Sequence, residues 1–154
     1  LIVRKTENDP DLDSDGVDLV KHPRFFFFDV GVLNAIKRSF STHQERAGML
    51  FEHLVFNQFS HSANALNGDV LISNFRTRGG LEVDFIVNNE GKKFAVECKA
   101  SSTVSGSELT PLRRLDTYYS KIQKLVVYRG KRELKDDGIW IVPLAKGLEI
   151  MGLK

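Results

Sequence analysis

Hydrophobic and polar residues alternate along two neighbouring segments in the middle of the chain, Leu81–Asn88 and Lys93–Ala100. A short polar stretch containing Glu90 and Gly91 separates the two segments. Two alternating runs joined by an Asn- and Gly-rich turn predict a β-hairpin that folds back about these two residues. Successive side chains of a strand point to opposite faces. The predicted hairpin therefore has on one face Asp84, Ile86, Ala95, Glu97 and Lys99, and on the other Val83, Phe85, Val87, Phe94, Val96 and Cys98.

Two acids, Asp84 and Glu97, lie directly opposite each other in this register, and Lys99 projects from the same face. Opposed like charges destabilise an antiparallel pair, although two acids on a solvated strand face would tolerate each other. The neighbouring residues are apolar and typical of a buried strand, where two carboxylates need a cation or must share a proton. Carboxylate oxygens suit a hard divalent ion such as Mg²⁺. We therefore favour a metal site over an accidental acid pair.

The remaining segments predict an α/β fold with a mixed central β-sheet flanked by helices on both faces. The strand–helix–strand order that follows the hairpin predicts a right-handed parallel crossover. The predicted strands are Arg24–Asp29, Val70–Arg76, Lys124–Tyr128 and Gly138–Leu144; the predicted helices are Val32–Phe40, Thr42–Ser60 and one beginning at Thr110 and Pro111; the predicted loops include Ala63–Gly68 and Arg129–Asp137.

Four consecutive phenylalanines, Phe25–Phe28, lie in the first of these strands. Such a continuous apolar run predicts a strand that is buried on both faces. The alternative is docking against a partner domain, because one small core has limited room for four rings. Asp29, which follows the run, is expected to cap the next helix.

The helix Thr42–Ser60 is indicated by apolar residues at helical spacing and by a capping box that pairs Thr42 with Glu45. Its predicted buried stripe consists of Ala47, Leu50, Phe51, Leu54 and Val55. Glu52 lies on the flank of that stripe. From the residues alone, an exposed glutamate is the preferred interpretation of this position.

A chain of 154 residues is long enough for one well-filled core and too short for two ordinary domains. We therefore expect a single domain over residues 1–154, with residues 1–23 as a leader that contains an acidic loop. That loop is Asn8–Asp18. Counted from Asp11, the chain matches a calcium-binding loop in part, but its twelfth position is His22, where a glutamate ligand is required. The chain begins with Leu1 rather than methionine, and we expect it to be a portion of a longer protein.

Composition narrows the functional classes. No apolar run approaches the ~20 residues that span a bilayer, and the single cysteine, Cys98, is compatible with a reducing cytoplasm. The net charge is only +2, so any nucleic-acid binding would depend on a local basic patch. The sequence contains no GxxxxGK[ST] phosphate loop and is therefore not itself an ATPase module.

Asp84 followed on the next strand by Glu97-Cys98-Lys99 resembles the signature of the PD-(D/E)XK nuclease superfamily, with Val83 in place of the motif's proline. Taken in order, several segments also resemble an uncharacterised domain found at the C-terminal end of certain prokaryotic AAA-type ATPases. These segments are Phe25–Asp29-Val30-Gly31, Gly48-Met49-Leu50-Phe51-Glu52, Gly80–Asp84 and Glu97–Ser101. The resemblance covers most of the chain after Pro23.

The resemblance implies a restriction-endonuclease-like fold with an αβββαβ core and metal-dependent hydrolysis of phosphodiester bonds. It places the helical acid of the signature on Glu52, which reverses the preference for an exposed residue. The implied catalytic residues are Glu52, Asp84, Glu97 and Lys99, and the implied ligands of Mg²⁺ or Mn²⁺ are Asp84, Glu97, Glu52 and the backbone carbonyl of Cys98.

The implied partners are nucleic acid, expected to be DNA, and an ATPase domain that precedes this one. Candidate contacts to a phosphate backbone are Arg76, Arg78, Lys92, Arg113 and Arg114, although Arg76 and Arg78 could equally be solvated surface charges. We expect a cytoplasmic protein without a membrane segment, and self-association stays open. The alternative function is a non-catalytic nucleic-acid- or protein-binding domain that regulates or targets the ATPase.

Overall fold

The computed structural model describes residues 3–6, 10, 23–38, 40, 43–66 and 69–154. Most of these residues form a six-stranded β-sheet with helices packed on it. The strands are β1 (Val3–Thr6), β2 (Arg24–Phe27), β3 (Val70–Arg76), β4 (Glu82–Asn89), β5 (Lys92–Lys99), β6 (Gln123–Tyr128), β7 (Leu134–Asp136) and β8 (Ile139–Pro143). The α-helices are α1 (Val30–Ile36), α2 (Gln44–Leu66), α3 (Thr110–Arg114, extended at both ends by 3₁₀ turns) and α4 (Leu144–Ile150).

The large sheet has the strand order β3-β4-β5-β6-β8-β7 and is mixed. Strands β3, β4 and β5 pair antiparallel, whereas β5, β6 and β8 pair parallel and β7 returns antiparallel to β8. The chain order α2-β3-β4-β5-α3-β6 gives the expected αβββαβ core. The predicted α/β class and the parallel crossover from β5 to β6 are confirmed.

Hydrophobic residues fill both faces of this sheet. One face packs against α3 and its flanking turns, and its buried residues include Val83, Ile86, Ala95, Leu112 and Val126. The other face packs against α2, β2 and α4, and its buried residues include Phe26, Phe56, Phe59, Phe85 and Val96. Because helices cover both faces, the central strands are almost continuously apolar, as expected for strands buried on both sides.

The register of the β4–β5 hairpin follows the prediction as far as Phe85, which pairs with Val96. Beyond that point β4 contains an irregularity. Ser73 of β3 pairs with Ile86 of β4. A step of two residues along β3 from Ser73 moves the partner by three residues along β4, from Ile86 to Val83. Asp84 and Phe85 therefore form a β-bulge, which shifts every earlier residue of β4 to the opposite face. The prediction that Val83 shares a face with Phe85 is wrong for this reason.

The phenylalanine run is not buried on both faces, and that prediction is also wrong. Phe26 is 2% exposed and stacks on Phe56 with ring centroids 4.1 Å apart. In contrast, Phe25 is 61% exposed and Phe28 is 45% exposed. Strand β2 pairs with β1 in a separate two-stranded sheet, so one side of the strand faces the core and the other faces outward.

Several element boundaries differ from the prediction. Helix α2 continues to Leu66, so the segment predicted as the loop Ala63–Gly68 begins inside a helix. Helix α4 was not predicted, and the short strand β7 lies within the predicted charged loop. Of the predicted stripe of α2, Val55 is buried but Leu54 is 45% exposed, and the helix also buries Phe56 and Phe59, which the predicted stripe did not include. Thr42 of the predicted capping box and the acidic loop Asn8–Asp18 lie outside the described residues, apart from Pro10.

Other local predictions hold. Asp29 caps α1, because its side-chain Oδ1 accepts the backbone N–H of Val32 at 2.9 Å. Strand β3 has the predicted boundaries, Val70–Arg76. Leu112, Leu115 and Tyr119 are buried against the sheet and Ile122 is partly buried, although α3 ends at Arg114 and Tyr119 lies beyond its 3₁₀ turn. Across the described part of the chain, every helix is too short or too polar to cross a membrane.

Candidate functional site

The β-bulge positions Asp84 at the point where β4 stops pairing with β5. The carboxylate Oδ2 of Asp84 accepts the backbone N–H of Cys98 at 2.8 Å, beyond the last paired residues, Phe85 and Val96. A side chain thus satisfies a strand N–H that lies past the end of the paired ladder. This bond holds the Asp84 carboxylate beside the Glu97-Cys98-Lys99 segment of β5.

Glu97 and Lys99 lie two residues apart on β5 and project from the same face, as the alternation predicts. The Nζ of Lys99 is 3.3 Å from Oε2 of Glu97. The Glu97 side chain is 8% exposed and that of Lys99 is 25% exposed, so the carboxylate is the more deeply buried partner. Cys98 projects to the other face and packs at the edge of the apolar cluster below α2.

Glu52 approaches from α2, and Arg24 approaches from β2. The Arg24 guanidinium contacts Oε1 of Glu52, lies 3.6 Å from Oδ1 of Asp84, and lies 3.9 Å from Oε1 of Glu82. Its Nη1 also donates to the backbone carbonyl of Asp84 at 3.4 Å. One arginine therefore bridges an acid on a helix and two acids on a strand.

Burial makes ionisation of the acids unfavourable. Loss of solvation raises the pKa of Glu52 to about 7, and the Asp84 charge adds to this effect while Arg24 opposes it. Loss of solvation and the Asp84 charge also raise the pKa of Glu97 to about 8, against the opposing charge of Lys99. The pKa of Asp84 itself is raised by burial, despite the Cys98 N–H and the Arg24 and Lys99 charges. The charge of Asp84 therefore raises the pKa of both the helical acid, Glu52, and the strand acid, Glu97.

The lysine responds in the opposite sense. Burial lowers the pKa of Lys99, but the charge of Glu97 and the hydrogen bond to it outweigh burial, so the pKa lies above its ordinary value. Lys99 is therefore an ammonium at neutral pH. Burial, followed by the charges of Asp84, Glu52 and Glu97, raises the pKa of the Cys98 thiol well above its usual range. That sulfur is accordingly neutral and serves as an apolar packing group.

The donor set fits a hard divalent cation in its chemistry. Glu52, Asp84 and Glu97 supply carboxylate oxygens, which Mg²⁺ and Mn²⁺ prefer. Oε1 of Glu52 is buried, and the Arg24 guanidinium is its partner. Among the described residues, however, no three His, Cys, Asp or Glu side chains converge closely enough to hold a metal as they stand. The side chains would have to turn toward one another, and Arg24 provides the positive charge in the present arrangement.

The basic residues predicted to contact nucleic acid are scattered. Arg76 lies near the acids, with its Nε 3.7 Å from Oε2 of Glu82, and Arg78 is exposed in the turn between β3 and β4. Arg113 of α3 is held by Asp136 of β7 and by other acceptors, whereas Arg114 is exposed. Lys92 lies at the far end of β5, where it pairs with Asn89 across the hairpin turn. The structure therefore does not bring Lys92 near Glu97 and Lys99.

Arg24 is the site residue that sequence reasoning missed. Its partner Asp84 is 60 positions away along the chain, so no local spacing links the two. Asn57, which anchors the strand of Arg24, was missed as well. Its Nδ2 donates to the carbonyl of Phe27 at 3.1 Å and connects β2 to α2. The one available signal was an arginine at the start of an otherwise apolar run.

The fold and the site define an αβββαβ domain with a carboxylate–lysine cluster at one end of its sheet. The family model described as "Domain of unknown function (DUF4143)" matches residues 47–146, about two thirds of the chain. The chain therefore belongs to this family. The matched range includes Glu52, Asp84, Glu97 and Lys99 and begins after Arg24. Neither the curated proteins nor the solved structures yielded a match.

Proposed function

We propose that this chain is a nuclease-like domain of the PD-(D/E)XK type that hydrolyses phosphodiester bonds of nucleic acid, with DNA the expected substrate. We further propose that it is the C-terminal domain of a cytoplasmic AAA-type ATPase. The observation that supports the activity is that the charge of Asp84 acts on Glu52 of α2 as well as on Glu97 and Lys99 of β5 at one end of the sheet. Desolvation there raises the pKa of all three acids, which is typical of functional sites.

Each acid has a distinct role in the proposal. Asp84 and Glu97 would hold a divalent cation, Mg²⁺ or Mn²⁺, with the backbone carbonyl of Cys98 as a further ligand. Glu52 would contribute a carboxylate from the helix side. Such an ion, when bound, polarises the phosphoryl group and activates water. The N–H of Cys98 keeps the Asp84 carboxylate at the junction of the two strands, so this ligand would be positioned before a cation binds.

Lys99 acts mainly through its positive charge. Because its pKa is raised by Glu97, the side chain is protonated at neutral pH and is better suited to stabilise negative charge on the phosphate than to remove a proton. Its partial exposure leaves the ammonium accessible to a substrate at the surface. Arg76 and Arg78, at the same end of β3, are the basic residues best placed to contact a phosphate backbone.

The test is cleavage by the purified 154-residue chain of single-stranded, double-stranded and branched DNA in Mg²⁺ or Mn²⁺. Lys99→Ala and Asp84→Ala should each reduce cutting by about 100-fold or more. Lys121→Ala, which removes an exposed lysine of the segment between α3 and β6, should cut as the wild type does. Cutting that persists in both site variants would come from a contaminant and would contradict the proposal.

A second function, a non-catalytic module that binds a partner and steers the ATPase, is favoured by exposed apolar side chains on β2 and around α1. Phe25 is 61% exposed, Ile36 is 60% exposed and Phe40 is 71% exposed. Titration calorimetry with Mn²⁺ separates the two functions. Heat of binding supports the nuclease-like site, whereas an absence of heat together with an absence of cutting favours the binding module.

A further inference from the structure

We propose that Arg24 is an internal counterion that competes with a divalent cation for Glu52 and Asp84, so that metal binding requires the guanidinium to withdraw. This inference rests on the proposed function, because it concerns the same carboxylates. It assigns to β2 a regulatory contact that the nuclease resemblance does not include.

The contacts place Arg24 between the two acids that a metal would have to share. The guanidinium contacts Glu52 on α2 and lies 3.6 Å from Oδ1 of Asp84 on β4. A divalent ion bound to those oxygens would lie about 2.0–2.6 Å from them. Arg24 and a metal would draw on the same two oxygens, Oε1 of Glu52 and Oδ1 of Asp84, and the repulsion between two cations in a partly buried site opposes joint binding there. The guanidinium and the metal therefore compete for these acids.

Arg24 can leave without unfolding its strand. The backbone of β2 is held by the buried ring of Phe26, by pairing with β1, and by the bond from Asn57 to the carbonyl of Phe27. Arg24 is the first residue of β2, and its side chain is 28% exposed. A change of side-chain rotamer would therefore carry the guanidinium into solvent while the anchored strand stays in place.

The experiment measures Mn²⁺ affinity by titration calorimetry for the wild type, Arg24→Ala and Arg76→Ala. Arg76 is the matched control because it is an arginine at the same end of the sheet whose ion pair, in the described part of the chain, is with Glu82. Arg24→Ala should bind Mn²⁺ at least about tenfold more tightly than the wild type, which corresponds to about 1.4 kcal/mol. Arg76→Ala should bind within about threefold of the wild type.

Each outcome is decisive. Tighter binding by Arg24→Ala alone supports the competition, including the case in which the wild type shows no measurable heat. Binding by Arg24→Ala that is equal to or weaker than that of the wild type overturns the competition and leaves the proposed metal site intact. An absence of binding in all three proteins overturns the metal site itself.

If Arg24→Ala does not fold in the presence of chelator, a second measurement tests the competition. Removal of the guanidinium leaves the acids without their counterion, and Mn²⁺ should then restore the far-ultraviolet circular dichroism of the variant. Restoration by Mn²⁺ supports the competition. No restoration, in a preparation whose wild type binds Mn²⁺, overturns it.

Discussion

Polar side chains lie at both ends of the β4–β5 hairpin, but the end at the turn is exposed to solvent and the other end is largely buried. At the turn, Oδ1 of Asn88 accepts the N–H of Gly91 at 3.0 Å, and Nδ2 of Asn89 donates to the carbonyl of Met151 at 2.9 Å. Glu90 at the turn is exposed. At the other end Asp84 and Glu97 lose solvent, and the pKa of each rises. The turn end of the hairpin is therefore solvated and stabilises the fold, whereas the end with Asp84 and Glu97 is desolvated and its ionised acids are unfavourable.

The difference follows from what covers each end. Glu90 at the turn is exposed, and hydrogen bonds within the turn and to the end of α4 satisfy the Asn88 and Asn89 side chains. The site end lies beneath α2 and beside β2, where the Arg24 and Lys99 side chains and the N–H of Cys98 compensate the acids only in part. Natural folds accept such unfavourable arrangements chiefly at functional sites. The comparison therefore supports a functional reading of the Asp84 end and a structural reading of the turn.

The largest expected effect on stability is at the counterion. In the presence of chelator, Arg24→Ala should reduce the free energy of unfolding by about 2–4 kcal/mol, because it leaves partly buried acids without their arginine. Lys92→Ala at the solvated end should change it by less than about 0.5 kcal/mol. Urea unfolding at neutral pH measures both values. Equal losses in the two variants would show that the two ends do not differ as described.

The next effect is on pH dependence. The pKa of Glu52 is about 7 and that of Glu97 about 8 in the folded protein, both above the ordinary value of 4.5, so the folded state binds more protons in that range. Their stabilising contribution is complete below about pH 4.5 and is lost as the pH rises through 7 and 8. Chelated protein should therefore be less stable at about pH 9 than at about pH 5, by roughly 2–3 kcal/mol from Glu52 alone, and Glu97 should add to that loss.

The control for this prediction is the double variant Glu52→Gln/Glu97→Gln, which removes both titrating groups and should flatten the pH profile. Saturating Mn²⁺ should flatten it for the wild type as well, because a bound cation favours the ionised acids. Urea unfolding at several pH values provides the profile. A wild-type profile that rises between about pH 5 and pH 9 would contradict the predicted direction.

The smallest expected effect is at the turn. Glu90 has φ 51° and Gly91 has φ 83°, as in the two-residue turns that match the twist of a hairpin. Gly91→Ala should cost about 1 kcal/mol, because an alanine is strained at positive φ although open space surrounds the position. Gly106→Ala, where the surroundings are also open and φ is ordinary, serves as the control and should be nearly neutral. Thermal unfolding compares the two variants, and equal shifts would exclude backbone strain at the turn.

The parts of the fold that depend on local pattern were predictable. Alternation about Glu90 and Gly91 predicted the hairpin and most of its register, and helical spacing predicted α2 and the burial of Leu112 and Leu115. The boundaries were less predictable. Helix α4 is short and contains Gly147. A Cβ atom at this residue would lie 3.0 Å from a methyl group of Val127 on β6, so the glycine allows close packing. Its packing, rather than its sequence, explains why it forms.

The β-bulge was not predictable, because Phe85, Ile86 and Val87 are all apolar and both faces of β4 are buried. Alternation cannot show which face a residue takes when both faces are hydrophobic. The bulge nevertheless determines where the Asp84 carboxylate lies relative to the Cys98 N–H. The location of the most central acid therefore depends on a one-residue irregularity in β4.

The sequence by itself determined the α/β class, the hairpin and the shared face of Glu97 and Lys99, because these depend on neighbours in the chain and on the two-residue period of a strand. Only the tertiary structure decided that Arg24 neutralises Glu52 and Asp84. Those three residues come from β2, α2 and β4, and their association depends on how the helix and the small sheet pack against the large one. Charge compensation acts through space, so a linear pattern can supply the acids without revealing their counterion.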